Sequence, residues 1–138
     1  SYRNSNISND TIVTSVTVKG QKADPKKIKL TMSENKKRRM KSQPIGEKTG
    51  GSTFKNPKAI NKDSNLFMSA WKLIDKANLR GQKLGGAMVS ELHPNFLINL
   101  GNADANDLES LGELIREKVF LDSGIRLEWE IKRVGFCK

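Results

Sequence analysis

The spacing of apolar positions changes rhythm several times along this chain, and each rhythm predicts an element. Residues 11–19 concentrate β-branched types (Ile12, Val13, Val16, Val18) and predict a strand that Gly20 ends. Asp24 followed by Pro25 is the signature of a helix N-terminus, and the run to about Ser42 continues as a helix with Ile28, Met32, Asn35 and Arg39 along one stripe. After Gln43-Pro44 a loop of about fourteen residues is expected, long enough in a compact chain to carry function. Helical spacing returns from about Ser64 to Ala77, with Leu66, Phe67, Ala70, Trp71 and Ile74 in phase. Two short strands follow, around Ala87-Met88-Val89-Ser90 and Phe96-Leu97-Ile98-Asn99-Leu100, and Asp104 can cap a third helix reaching about Phe120. Residues 125–134 alternate Ile125, Leu127, Trp129 and Ile131 with Arg126, Glu128, Glu130 and Lys132, which predicts a last strand with one wet face.

Strands and helices that mix without a regular βαβ alternation give an α+β class, with a small mixed sheet packed with helices. At 138 residues the chain can build one ordinary core or the remains of two. No apolar run approaches the roughly 18 residues of a membrane span, the first residues are polar, and the expected location is the cytoplasm. Cys137 is the one cysteine and His93 the one histidine, so neither an internal disulfide nor a zinc site is expected. The net charge of +10 is uneven: residues 1–60 hold 14 Lys/Arg against 4 Asp/Glu, and residues 61–138 hold 11 against 11. Such a basic block attracts nucleic acid, an anionic membrane or a phosphorylated small molecule, or it is a solvated helix face.

The strongest candidate for chemistry is Gly50-Gly51-Ser52-Thr53-Phe54-Lys55-Asn56-Pro57, a turn that two glycines open and a proline closes. It holds a hydroxyl, an amide and a cation at one corner. Other motifs fail. Gly46-Glu47-Lys48-Thr49 lacks the glycine that precedes the lysine of a phosphate-binding loop, and the glycines at 81, 85 and 86 have the wrong spacing for a dinucleotide fingerprint. A hydrolase built on Ser52 would need His93 as its base, with nothing local to pair them. A serine acting as an acid needs only a substrate atom to protonate and a cation-lined pocket.

Four blocks, in order and at matching intervals, carry a resemblance. They are Gly51-Ser52-Thr53-Phe54-Lys55-Asn56-Pro57, residues 85–99, Gly101-Asn102-Ala103, and Leu127-Glu128-Trp129-Glu130-Ile131. Together they resemble UDP-N-acetylenolpyruvoylglucosamine reductases, over essentially the whole chain but only the C-terminal portion of the family's length. The resemblance implies that residues 1–43 finish an α+β FAD-binding domain, residues 44–124 form the substrate-binding domain, and residues 125–138 return toward the flavin. The missing N-terminal segment of the same protein is then an expected partner, and this chain alone is expected to be inactive.

By the same resemblance, Ser52 donates the proton to C2 of an enolpyruvyl group after hydride from reduced FAD reaches C3. Arg3, in Tyr2-Arg3-Asn4-Ser5, faces the substrate carboxylate, and Glu130, the second acid of Leu127-Glu128-Trp129-Glu130, steadies the enolate-like intermediate. Asn56, Arg39, His93 and Lys132 are the substrate contacts so implied, and Gly51 lies against the cofactor. FAD and NADPH are the expected cofactors, and UDP-N-acetylglucosamine enolpyruvate the expected substrate. With Tyr2 as its one tyrosine, the chain resembles the class without a tyrosine-bearing loop. The alternative is a basic nucleic-acid-binding module, which the scarcity of aromatic residues among the first 60 disfavours.

Overall fold

The computed structural model describes residues 5–8, 10–57 and 69–135. Its elements are α1 (Pro25–Ser42), β1 (Lys48–Ser52), α2 (Ala70–Lys76), β2 (Lys83–Leu84), β3 (Ala87–Val89), β4 (Phe96–Asn99) and α3 (Ala105–Ser123). The four strands form one sheet in the order β1-β4-β3-β2, so the α+β class expected from the sequence is the one found, with every neighbouring pair antiparallel where a mixed sheet was expected.

The helix ends follow their caps. Asp24 accepts the Lys26 N–H at 3.0 Å with Pro25 opening α1. Asp104 accepts the Asp107 N–H at 2.8 Å at the start of α3, and Gly124 stops that helix in the left-handed conformation at φ 70°. Leu111, Ile115 and Val119 recur at helical spacing, are fully buried, and join Leu73 and Ile74 of α2 over Ala87, Val89 and Leu97 of the sheet. Each of the leucine, isoleucine and valine side chains contributes about 1.5–3 kcal/mol through removal from water.

Gly86 lets the end of β4 and the start of α3 close tightly. A Cβ there would lie 2.6 Å from the Ala103 Cα, and the Gly86 N–H meets Asp107 Oδ2 at 2.8 Å. The Gly85-Gly86 and Gly101-Asn102-Ala103 blocks thus act together as a joint. Asn99 completes it, accepting N–H groups from Gly101 and Ala103 at 2.7 and 3.1 Å.

Three expectations need correction. Residues 11–19 form no strand: they are exposed, Ile12 and Val18 by 86% and 84%, because β-branched propensity makes a strand only where another edge pairs with it. The stretch after Pro44 is not all loop, since Lys48–Ser52 is strand β1, held by its ladder to β4 despite two glycines. Residues 125–129 keep the expected alternation of burial, Glu130 departs from it by being half-buried, and the segment joins the structure through a single bridge, Phe54 to Trp129, rather than a full ladder. The second helix begins at Ala70, and the earlier part of its expected span, residues 64–68, lies outside the described residues. Among the described residues no helix is long and apolar enough to cross a membrane.

Candidate functional site

The Gly50-Gly51 pair makes a β-bulge. Thr49 pairs with Ile98 and Ser52 with Phe96, so β1 spends two residues where β4 spends one. Gly51 takes φ +93°, a conformation that side chains with a Cβ rarely adopt, and open space surrounds its α-carbon on the side a Cβ would occupy. Bulges re-aim the residue that follows. Here that residue is Ser52, half-buried at the end of the strand.

Beyond Ser52 the chain leaves the ladder and is caught by Asn95. The Thr53 N–H reaches the Asn95 carbonyl at 2.8 Å, the Phe54 N–H reaches Asn95 Oδ1 at 3.0 Å, and Asn95 Nδ2 donates to the Phe54 carbonyl at 2.9 Å. Asn95 is only 5% exposed. The same stretch then meets the C-terminal segment: the Glu130 N–H donates to the Thr53 carbonyl and the Lys55 N–H to the Glu128 carbonyl, both at 2.8 Å. Ser52 is thereby one residue from a main-chain bond to Glu130, although the two lie far apart in sequence.

The two glutamates of that segment differ in environment. Glu128 is exposed and pairs with Lys55 at 3.3 Å, a surface contact of small energetic weight. Glu130 is half-buried, with its Oε2 shielded from solvent. Between them Trp129 packs on Phe54, ring centroids 5.0 Å apart, and donates from Nε1 to Glu113 Oε1 at 2.9 Å. Burial pushes the Glu113 carboxyl up, but hydrogen bonds from Trp129 and Arg116 and the charges of Arg116 and Arg133 outweigh it and hold the group below its usual value.

The other expected site residues are more scattered. Asn56 ends the same segment and its Oδ1 accepts the Ala70 N–H at 3.0 Å, capping α2 where the Ser69 side chain does not. Arg39 sits on the exposed helix α1 with its guanidinium 3.4 Å from Gln43 Oε1, and Lys132 is exposed on the C-terminal segment. Arg3 lies outside the described residues. A groove of about 1600 Å³ runs along α3 and residues 133–135 and is lined by none of the expected site residues. Among the described residues no cluster of three or more His, Cys, Asp or Glu could hold a metal ion.

His93 braces the turn before β4. Its N–H meets Ser90 Oγ at 3.1 Å, its Nδ1 accepts the Asn95 N–H at 3.3 Å, and its ring stands edge-on to Phe96 with centroids 4.8 Å apart. Burial disfavours the imidazolium; a main-chain hydrogen bond offsets part of this and the Arg80 charge adds to it, leaving the pKa lowered. A folded-state pKa below the unfolded one means stability is intact above about pH 6.5 and declines as pH falls through that value. The urea midpoint of the protein is therefore expected to drop between about pH 7.5 and about pH 5.5, and His93→Gln to flatten that drop. An equal drop in the variant would assign the effect to other groups. Asp75 and Glu113, whose pKa values are lowered, matter only in the more acidic range.

Asn95, Thr53 and Glu113 were not singled out from the sequence. The signal for Asn95 was a polar side chain inside an otherwise apolar stretch, Pro94 to Ile98, that is buried throughout.

Comparison with known proteins gives a consistent result. Residues 43–134 match the family model described as UDP-N-acetylenolpyruvoylglucosamine reductase, C-terminal domain. The UDP-N-acetylenolpyruvoylglucosamine reductase of Rickettsia typhi is 51% identical over 134 residues, which is 97% of this chain and 43% of that protein. The protein of that name from Rhodopseudomonas palustris is 53% identical over 135 residues, 98% of this chain and 41% of its own length. The crystal structure of UDP-N-acetylenolpyruvylglucosamine reductase (MurB) from Thermus caldophilus superposes with a TM-score of 0.61 at 34% identity, covering 80% of this chain and 36% of that one. The chain thus spans about two fifths of the length of the curated relatives it matches.

Proposed function

The chain belongs to the UDP-N-acetylenolpyruvoylglucosamine reductase family, and from that membership we propose that it is the substrate-binding and proton-donating portion of a reductase in peptidoglycan precursor synthesis. The reaction converts UDP-N-acetylglucosamine enolpyruvate to UDP-N-acetylmuramate in the cytoplasm. Residues 1–43 finish a flavin-binding domain, residues 44–124 bind the sugar nucleotide, and residues 125–138 return toward the flavin. The observation that supports this reading is the main-chain bond from the Glu130 N–H to the Thr53 carbonyl, which brings the segment bearing Glu130 alongside the residue that follows Ser52.

The chemistry FAD supplies when bound is the hydride that adds to C3 of the enolpyruvyl group, with NADPH as its source. Gly51 suits the approach of a flat ring, because its bare backbone at φ +93° faces open space that a Cβ would enter. Ser52 gives its hydroxyl proton to C2, which requires a donor within about 3 Å of that carbon. Negative charge spreads into the substrate carboxylate as the alkene is reduced, and Arg3 stabilises it best where water is excluded. Glu130 holds the enolate-like species with Arg3, while Asn56, Arg39, His93 and Lys132 meet the sugar nucleotide.

The full-length protein is expected to be yellow and to oxidise NADPH only when the enolpyruvyl sugar nucleotide is present, as absorbance at the flavin and nicotinamide bands reads directly. A colourless protein, or NADPH oxidation indifferent to the sugar nucleotide, would reject the reading.

A further inference from the structure

We propose that Asn95 is a positioning residue for the proton transfer, holding Ser52 and Glu130 in register by standing in for a missing strand. The inference rests on the functional reading above and adds a residue to it. At Ser52 the β1 to β4 ladder has just slipped through the bulge. The next two residues would ordinarily continue by exchanging main-chain bonds with β4. Instead the Asn95 side chain supplies both partners that Phe54 needs, an acceptor for its N–H at 3.0 Å and a donor for its carbonyl at 2.9 Å. Its main-chain carbonyl takes the Thr53 N–H at 2.8 Å.

A primary amide is the uncharged side chain that donates and accepts through adjacent atoms, which is the pattern of a peptide group. Its burial makes the fit strict, since a group lacking either function would leave a main-chain polar atom unpaired and dry. Thr53 in turn accepts the Glu130 N–H, so one amide fixes the spacing between the residue after Ser52 and the segment bearing Glu130. In these bonds Asn95 engages the main chain of Thr53 and Phe54. A displacement of about 1 Å at a proton donor costs on the order of 10²-fold in rate.

The test uses the full-length flavoprotein and follows the flavin band by stopped flow. Asn95→Leu is expected to slow reoxidation of the reduced flavin by the enolpyruvyl sugar nucleotide about 10²-fold, with flavin reduction by NADPH unchanged. Asn95→Asp keeps the fold testable and gives a signature that loss of stability alone would not. A protonated carboxyl donates and accepts as the amide does, whereas the carboxylate cannot donate to the Phe54 carbonyl. The reoxidation rate of Asn95→Asp relative to the unmodified protein should therefore rise as pH falls. A ratio flat with pH, or an Asn95→Leu protein that reoxidises at full speed, overturns the proposal alone. An unmodified protein whose reduced flavin ignores the sugar nucleotide overturns the functional reading and the proposal together.

Discussion

Replacing Ser52 with alanine is expected to slow reduction of the enolpyruvyl sugar nucleotide by about 10²–10⁴-fold, the range that a positioned general acid contributes. Flavin reduction by NADPH should proceed nearly as before. The two halves separate because the hydroxyl is asked to act only after hydride has reached the alkene. A serine hydroxyl is a poor acid in water, and it becomes a usable one where the accepting carbon carries developing negative charge and the conjugate alkoxide is stabilised nearby. On the proposed reading, the bulge at Gly50-Gly51 and the half-buried setting of Ser52 restrict where that hydroxyl can point. Single-turnover rates of flavin reduction and reoxidation measure the two halves independently. Unimpaired reoxidation in the alanine variant would remove Ser52 from the chemistry.

The second large effect is on packing. Gly112→Ala on α3 should lower stability by about 1–3 kcal/mol, the usual cost of forcing extra carbon into a filled core. A Cβ on Gly112 would lie 2.6 Å from Trp129 Cζ2 and closer still to Cη2, so the indole must move. It has little freedom to do so, because the Phe54 ring packs against it at a tilt of 46° with centroids 5.0 Å apart, and Glu113 holds its Nε1 at 2.9 Å. Trp129 immediately precedes Glu130, and its displacement should also impair turnover of the sugar nucleotide in whatever fraction stays folded. Urea denaturation followed by tryptophan fluorescence reads the loss. An unchanged midpoint would mean that the ring shifts without cost, contrary to the tight contact described above.

Much of the fold was legible wherever an element stabilises itself or is buried on a regular stripe. Asp24-Pro25 and Asp104 announced α1 and α3 because a cap is a local hydrogen bond, and β3 and β4 showed as short apolar runs between turn residues. Elements that depend on a distant partner were read less well. Lys48-Thr49-Gly50-Gly51-Ser52 has little intrinsic strand preference and becomes β1 only because β4 lies alongside. The β-branched residues 11–19 present the converse case, strong preference without a pairing strand. In residues 125–129 the alternation reported which side chains are buried, and burial there is achieved with one bridge; Glu130, half-buried on the face expected to be wet, was not legible in it.

The site was legible through its glycines. Two of them in succession before a serine marked backbone that had to turn unusually, and Gly51 does so. That the segment bearing Glu130 runs beside the residue after Ser52 could not be read from spacing, because it depends on the pairing of residues 53–55 with 128–130; only the resemblance joined the two. Asn95 stayed hidden for a related reason. Its role is to replace main-chain bonds of a segment 41 residues away, and no local pattern records such a substitution.

The most direct test is the structure of the full-length protein with the enolpyruvyl sugar nucleotide bound. The account predicts Ser52 Oγ within about 3 Å of C2 of the enolpyruvyl group, hydrogen-bonding range for a proton donor, with Arg3 and Glu130 around the same carboxylate. A ligand seated elsewhere, or Ser52 and Glu130 opening onto different cavities, would contradict it.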